Sequence, residues 1–469
     1  MISVYTLPPL LKSPKNTTTL LKKGSEMHKK FNYKSLQDLK IDIENFGMDL
    51  DVVEDVKILS QPVQLHNRRI PNALVAHPME GGDSDPEGAP TELTFRKYER
   101  VSEGGVGLIW LESVSINQEG RSNKGQLFIN EQTLSGFREL VERIHKAAEK
   151  SPIAPEKPVL IMQLNHSGRY SKPTGKSEPM IATRKPELDE RLSLPDDYPL
   201  VTDDYLDSLV EQFIKASILA KEAGFDGVDI KACHGYLLHE LLSGFDRKGK
   251  YGGGFEERTG LMLVIIDKVR AAINDPDFII ASRINIYDAL PKSKGWGTDF
   301  NDFSKVDLSE PIRLVEEMVK RGVTLINVTM GNPYFLPHIN RPYDLGSYYP
   351  DEAPLEGVYR LIHYTRELQK AVPKAMIVGV GYSWLREFSP NVAAWILETG
   401  GASLIGYGRQ FIAYPDFAKD IIQQGKLMKN KVCISCSKCS SLKRDIGLCG
   451  CPIRDSEAYL QIYKDTYKN

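Results

Sequence analysis

Apolar, β-prone runs recur at Ala73–Ala76, Gly107–Leu111, Val159–Leu164, Gly227–Ile230, Phe278–Ile284, Leu325–Thr329, Met376–Val380 and Ser403–Ile405. Stretches of helical periodicity lie between them, among them Leu134–Lys150, Tyr205–Ala223, Arg258–Ala272, Pro311–Arg321 and Glu356–Ala371. A strand that is apolar at consecutive positions is buried on both faces, as in a parallel sheet covered by helices. Eight such units fit an α/β fold closed as a (β/α)8 TIM barrel better than an open sheet. The polar, Pro-rich segment Ser171–Thr202 is too long for a plain connection and is expected to be an active-site loop.

The 469 residues divide into an N-terminal extension over 1–56, a barrel over 57–427 and a cysteine-rich segment over 428–469 that closes with a short polar helix at Ser456–Tyr467. The first 30 or so residues read as a disordered, lysine-bearing tail, and the pattern Leu36, Leu39, Ile41, Ile43 suggests a short helix within Tyr33–Val56. With 60 basic and 62 acidic residues, net charge −2, no basic stripe points to nucleic acid. No apolar run approaches the roughly 18 residues of a membrane span. Of six cysteines, five fall between Cys433 and Cys451 and one, Cys233, stands alone. Clustered cysteines without a secretory leader suggest metal or cluster binding and a reducing, cytoplasmic setting.

The chemistry concentrates in Gly224–Arg258. There the run at Val228 and Ile230 delivers Lys231, Cys233, His234 and Tyr236 to the C-terminal end of a buried strand, where an α/β barrel keeps its active site. Cys233 reads most simply as a small buried hydrophobe, and His166 as a pocket-lining or loop-holding residue. Tyr251–Gly254 and Arg258 read as turn and structural contacts.

Taken in order, NALVAHPMEGG (72–82), SEGGVGLIWLE (102–112), QLNHSGR (163–169), GFDGVDIKACHGYLL (224–238), YGGGFEERT (251–259), SRI (282–284), VGVG (378–381) and GYGRQ (406–410) resemble the Old Yellow Enzyme family of FMN-dependent oxidoreductases. The resemblance implies FMN held along the loop Pro78, Met79 and Glu80. Gln163 would read the pyrimidine edge and Arg283 would sit near N1/O2. Gly379, Gly381, Gly406 and Gly408 would let backbone amides approach the phosphate, with Arg409 adding charge. It also implies that Lys231 and His234 polarise the acceptor and that Tyr236 supplies a proton. Two positions depart from the family: Lys231 stands where relatives commonly carry His, and Glu80 where they often carry Thr or Cys. A carboxylate beside the flavin would oppose negative charge on its reduced form unless protonated or turned away.

Cys433-x2-Cys436-x2-Cys439-x11-Cys451 is the most specific local pattern. Three close cysteines and a distant fourth suit a cubane that takes one thiolate per iron, so a [4Fe–4S] cluster ranks above structural zinc, and zinc above a redox disulfide. A similar run follows the barrel in the iron–sulfur branch of the family, with 2,4-dienoyl-CoA reductase and trimethylamine dehydrogenase. By that likeness Cys451, before Pro452, is the fourth ligand and Cys449 the spare thiol. No G-x-G-x-x-G motif accompanies a strand–turn–helix pattern, so a resident Rossmann domain with FAD is not expected.

The function expected is reduction of an activated C=C bond by hydride from FMN. Electrons come from NAD(P)H or, through the cluster, from a protein donor. Two alternatives stand beside it: an amine or alcohol dehydrogenase that passes electrons out through the cluster, and a non-catalytic barrel that binds a partner through the cysteine site. The expected partners are a small-molecule substrate, an electron-transfer protein and further copies of the chain as a homo-oligomer.

Overall fold

The computed structural model describes residues 28–153 and 156–468. Most of the N-terminal tail expected from the sequence lies outside them. Its last residues are packed: His28 Nε2 lies 3.2 Å from the Asp344 carbonyl oxygen, and Lys29 Nζ donates to Asp42 at 2.6 Å. The helix expected within Tyr33–Val56 is shorter, Leu36–Asn45, and starts at a capping box between Ser35 and Asp38.

A two-stranded antiparallel hairpin follows, β1 (Val63–Leu65) and β2 (Arg68–Ile70). Eight parallel strands then close a barrel: β3 (Leu74–Ala76), β4 (Leu108–Ser115), β5 (Val159–Asn165), β6 (Gly227–Ile230), β7 (Ile279–Asn285), β8 (Leu325–Thr329), β9 (Met376–Gly379) and β10 (Leu404–Tyr407), with β10 pairing back onto β3. The expected (β/α)8 barrel is the observed fold.

Side chains alternate across the barrel wall. Val228 and Ile230 join the apolar layer between strands and helices, whereas Trp110, Ile161, Ala281, Val378 and Leu404 fill the interior. Leu65 and Ile70 belong to that interior cluster, so the hairpin plugs the N-terminal mouth of the barrel. Three-residue strands carry too little pattern to be read from sequence, and the plug is a finding of the structure.

Helices at Glu92–Glu103 and Ser389–Glu398 complete the outer layer. The loop Ser171–Thr202 is more ordered than its composition suggests: it contains the helix Pro186–Leu192, tied to the barrel by buried Arg169, which pairs with Asp189 and Glu240. In the cysteine-rich segment, helices span Lys438–Ile446 and Tyr459–Thr466, the second within the range expected. No helix among the described residues is long and apolar enough to cross a membrane.

Candidate active site

The inward-facing positions at the C-terminal ends of the strands are polar. Asp229, two residues before Lys231, is fully buried. Its Oδ2 accepts from Trp110 Nε1 and Gln163 Nε2, both at 2.7 Å, and its Oδ1 from the Arg283 backbone N–H at 2.6 Å. Burial pushes the Asp229 carboxyl above its usual range, against these three bonds. Sequence reasoning missed Asp229; its signal was a lone acid at an inward position of an apolar run.

Strand β4 carries a register shift between Leu111 and Ser113. Without it the inward series Leu108, Trp110 would continue to Glu112. The bulge instead turns Glu112 to Lys97 and the Gly81 N–H, and brings Ser113 inward, where its Oγ accepts from Lys231 Nζ at 3.2 Å.

Lys231 is buried, and its ammonium lies 4.1 Å from the centre of the Tyr236 ring. Burial pulls its pKa down to about 8. The two nearest carboxylates are already engaged, Asp229 as above and Glu80 as below, so Lys231 forms no ion pair among the described residues.

His234 holds a left-handed backbone at φ 66°. Asn340 Nδ2 donates to Thr329 Oγ1 and the Met330 carbonyl oxygen and lies 3.4 Å from His234 Nε2. The two Nδ2 hydrogens are taken by Thr329 and Met330, so Asn340 packs against His234 without fixing its tautomer. Burial, with Arg283 and Lys231 nearby, keeps the imidazole neutral, far below its usual pKa. The Tyr236 hydroxyl is 2.7 Å from that of Tyr334, whose ring stacks on Tyr170 at 3.9 Å. Burial and Tyr334 raise the Tyr236 pKa and hold it as the phenol. Tyr334, on the loop after β8, and Asn340 carried no motif that sequence could flag.

Glu80 is engaged by neighbouring donors. Its Oε1 accepts from Ser122 Oγ, from Asn123 Nδ2 at 2.8 Å and from Lys443 Nζ at 2.7 Å. Burial alone would raise its pKa, but Lys443 and Ser122 outweigh burial and hold it ionised. Met79 Sδ lies beside Gly408, so the loop after the first barrel strand meets the loop after the last. Gly381, after β9, has φ 102°, which a side chain would strain. At Gly406 a Cβ would fall 1.9 Å from His77 Nε2, so the imidazole occupies that space. His166 holds its own loop: Nδ1 accepts from the Gly168 N–H and Nε2 lies 2.8 Å from the Tyr205 hydroxyl.

Cys433, Cys436, Cys439 and Cys451 line one cavity with Arg409, and all six cysteines of the chain are unpaired. Ser435 and Ser437 take left-handed φ values of 51° and 57°, winding the short loop around that cavity, and the Ser435 N–H donates to Cys433 Sγ at 3.4 Å. Cys449 is buried beside the cavity, and its backbone N–H donates to the Gly81 carbonyl oxygen at 2.7 Å. The cysteine segment is thereby fastened to the loop that carries Glu80.

The sequence profile of the NADH:flavin oxidoreductase / NADH oxidase family matches residues 58–427. The chain belongs to this family. It is the Old Yellow Enzyme family that the motifs resemble, and an FMN-dependent oxidoreductase is the enzyme class it implies. The chain is similar to an NADH oxidase of Thermoanaerobacter brockii, 27% identical over 381 residues, 80% of this chain and 52% of that protein. It thus spans about half the length of that curated relative. Among solved structures, a 2-naphthoyl-CoA reductase in complex with 2-naphthoyl-CoA superposes with a TM-score of 0.67 at 20% identity, over 85% of this chain and 57% of that one. A histamine dehydrogenase from Rhizobium sp. 4-9 superposes with a TM-score of 0.62 at 20% identity, over 85% and 52%. At such identities the two superpositions speak to the fold alone.

The flavin of the Old Yellow Enzyme family fits the residues present. Arg283 is buried, its Nε has no partner, and its one side-chain hydrogen bond is a long 3.4 Å to the Pro78 carbonyl oxygen. A buried guanidinium left this open needs an acceptor, which the N1/O2 edge of a flavin supplies.

Proposed function

We propose that the chain is an FMN-dependent oxidoreductase that reduces a C=C bond conjugated to a carbonyl, with a [4Fe–4S] cluster relaying electrons. The observation that carries this reading is the convergence of Lys231, His234 and Tyr236 at the barrel mouth, beside Gln163 and the open guanidinium of Arg283. Bound FMN supplies the hydride. Gln163, aimed by Asp229, and Arg283 would orient the flavin, and Met79 and Glu80 would flank it. Lys231, as an ammonium with no carboxylate partner, and an N–H of the neutral His234 imidazole would hold the carbonyl oxygen as negative charge develops there. Tyr236, kept protonated, would deliver the proton to the carbon beside that carbonyl. Tyr334 and Tyr170 would roof the site and exclude water.

The phosphate would rest against the strand-end glycines Gly379, Gly381 and Gly408. For the cluster, Cys433, Cys436, Cys439 and Cys451 are the proposed ligands. Among the described residues no three His, Cys, Asp or Glu side chains converge closely enough for a single ion. A cubane accepts wider spacing, because each thiolate binds a different iron. Unpartnered buried donors around the cavity, Arg409 Nη1, Gln410 Nε2 and Ser435 Oγ, suit sulfur acceptors.

Amine oxidation is the second reading, and the open ammonium of Lys231 weighs against a cationic amine in this pocket. The test is an anaerobic visible spectrum with iron and acid-labile sulfide assays, followed by turnover with NAD(P)H and an enone. Flavin, about four irons and four sulfides per chain, and enone-dependent NAD(P)H oxidation are expected. Flavin with turnover only on an amine and an artificial acceptor would replace this reading by the second.

A further inference from the structure

The cysteine cavity has an apolar lip and a border of unbalanced positive charge. Cys433, Cys436, Cys439 and Cys451 are each partly exposed, so a partner resting on the lip meets the thiols without intervening protein. Ile412, Ile434 and Ile453 line the cavity, and Ile453 is exposed. Exposed Leu345 extends the lip: its backbone N–H reaches the carbonyl oxygen of cavity-lining Ser435 at 3.4 Å. Charge gathers at the same place. Residues 426–454 carry seven basic side chains and one acid, in a chain whose net charge is −2. Three of the seven are taken up by acids: Lys431 by Asp420, Lys443 by Glu80 and Arg444 by Asp445. Arg454, in the cavity wall, forms no ion pair among the described residues, and neither do Lys426 and Lys438. Lys429, 68% exposed, has only Glu387 at 3.6 Å. Asp455, one residue beyond Arg454, is already held by Arg96 and Arg100.

We propose that this face is the docking surface of a small acidic one-electron carrier protein, of the ferredoxin or flavodoxin kind, that delivers electrons to the group held by the four cysteines. This rests on the cluster and reductase readings above. An apolar centre inside a charged rim is the layout of a protein–protein contact, in which the rim steers encounter and the centre excludes water. Arg409 and Arg454, in the wall, stand where they offset the negative charge of the cluster itself. Exposed Lys426 and Lys429 lie outside the wall, so their charge is left for a partner. A negatively charged carrier is drawn to such a rim and a positively charged one is repelled. Each carrier is oxidised by one electron. Two arrivals, with two protons from solvent, complete the reduction of one C=C bond to CH–CH.

The test is anaerobic stopped flow: photochemically reduced plant-type ferredoxin is mixed with oxidised holoprotein, and flavin bleaching is followed as a function of ferredoxin concentration and salt. Wild type is compared with the double variant K426E/K429E and with K438E, with flavin, iron and sulfide contents measured for each. The second-order rate constant of wild type is expected to fall about tenfold or more between about 0.05 and 0.5 M salt. At low salt the double variant should be slower than wild type by about tenfold or more, with its cofactor content and its enone-dependent NAD(P)H oxidation unchanged. Reduced methyl viologen, a small reductant that needs no docking surface, should bleach wild type and the double variant at rates within a few-fold of each other. If K438E fails to assemble its cluster, the double variant alone decides, since Lys426 and Lys429 are exposed. Ferredoxin rates indifferent to salt and to charge reversal, in protein with full iron and sulfide, would overturn the proposal. So would a variant slowed equally with methyl viologen, because the loss would then lie inside the protein. A chain that elutes as a dimer in wild type and as a monomer in I453D would make this face an interface between copies and would also overturn it. Wild-type protein with flavin and no acid-labile sulfide sinks the cluster reading itself.

Discussion

The Gln163 amide donates a 2.7 Å hydrogen bond to the Asp229 carboxylate inside the barrel mouth. Because Asp229 also receives the Trp110 indole N–H and the Arg283 backbone N–H, one carboxylate fixes the orientation of the residue proposed to read the flavin edge. Asp229→Asn brings an NH2 group to a place where only acceptors fit and strands at least one buried donor, at a cost of about 1–3 kcal/mol. The expected outcome is a lower unfolding midpoint together with FMN affinity reduced at least tenfold, read by flavin fluorescence. Unchanged FMN affinity in a destabilised protein would separate Asp229 from flavin binding.

Lys231 gives the site a pH dependence of definite sign. Its folded pKa, about 8, is below the roughly 10.4 of an exposed lysine. Between these values the unfolded chain holds the proton and the folded chain does not, so stability rises with pH through that window. The cost of burying the ammonium is fully present below about pH 8. Activity runs the other way: kcat/KM for an enone should fall as pH rises through about 8, where the ammonium is lost. Lys231→Arg should remove that limb of the profile, and Lys231→Met should lower kcat about 10²–10³-fold, the range for an oxyanion donor. A profile still bending near pH 8 in the arginine variant would assign the titration elsewhere.

Tyr236 and Tyr334 share one hydrogen bond, which allows their roles to be separated. Tyr236→Phe should slow flavin reoxidation by an enone about 10²-fold while leaving flavin reduction by NAD(P)H unchanged in stopped flow. Tyr334→Phe breaks the same bond without removing the proposed donor and should change reoxidation by less than about tenfold. Equal losses in both variants would make the pair a packing element rather than a proton source.

The pair Glu80–Lys443 is the electrostatic latch between the flavin-side loop and the helix Lys438–Ile446. Lys443→Met leaves a buried carboxylate partly unpaired, so the Glu80 pKa should rise and the loop should loosen. Hydrogen exchange at the Gly81 and Gly82 amides is expected to quicken. The double variant with Glu80→Gln should recover part of the lost stability, with a coupling of about 0.5–3 kcal/mol in a double-mutant cycle. Additive losses would show that the two side chains act independently.

The barrel is legible in the sequence because its strands are apolar on both faces and lie between amphipathic stretches, a pattern that local composition carries. Lys231, His234, Tyr236, Gln163 and Arg283 are legible because each stands at a strand end inside a motif. What escapes depends on geometry that no local window holds. The bulge that exchanges Glu112 for Ser113 arises from pairing with β5. Asp229 looks like an interruption of an apolar run until Trp110 and Gln163 are seen to meet it. The departure at Glu80 raises a conflict with the flavin in one dimension, and its resolution lies 363 residues away at Lys443. Arg409 stands in its motif far from the cysteines in sequence, and only the fold brings it into the wall of the cavity that they line.

The junction at Gly81 and Cys449 also orders events in time. One partner lies in the loop after the first barrel strand to leave the ribosome, and the other follows the last. The cysteine segment therefore finds its seat only after every intervening strand has been made and the ring has closed. Loading of the proposed cluster site would then be a terminal step of biogenesis, and a filled site would certify a finished barrel.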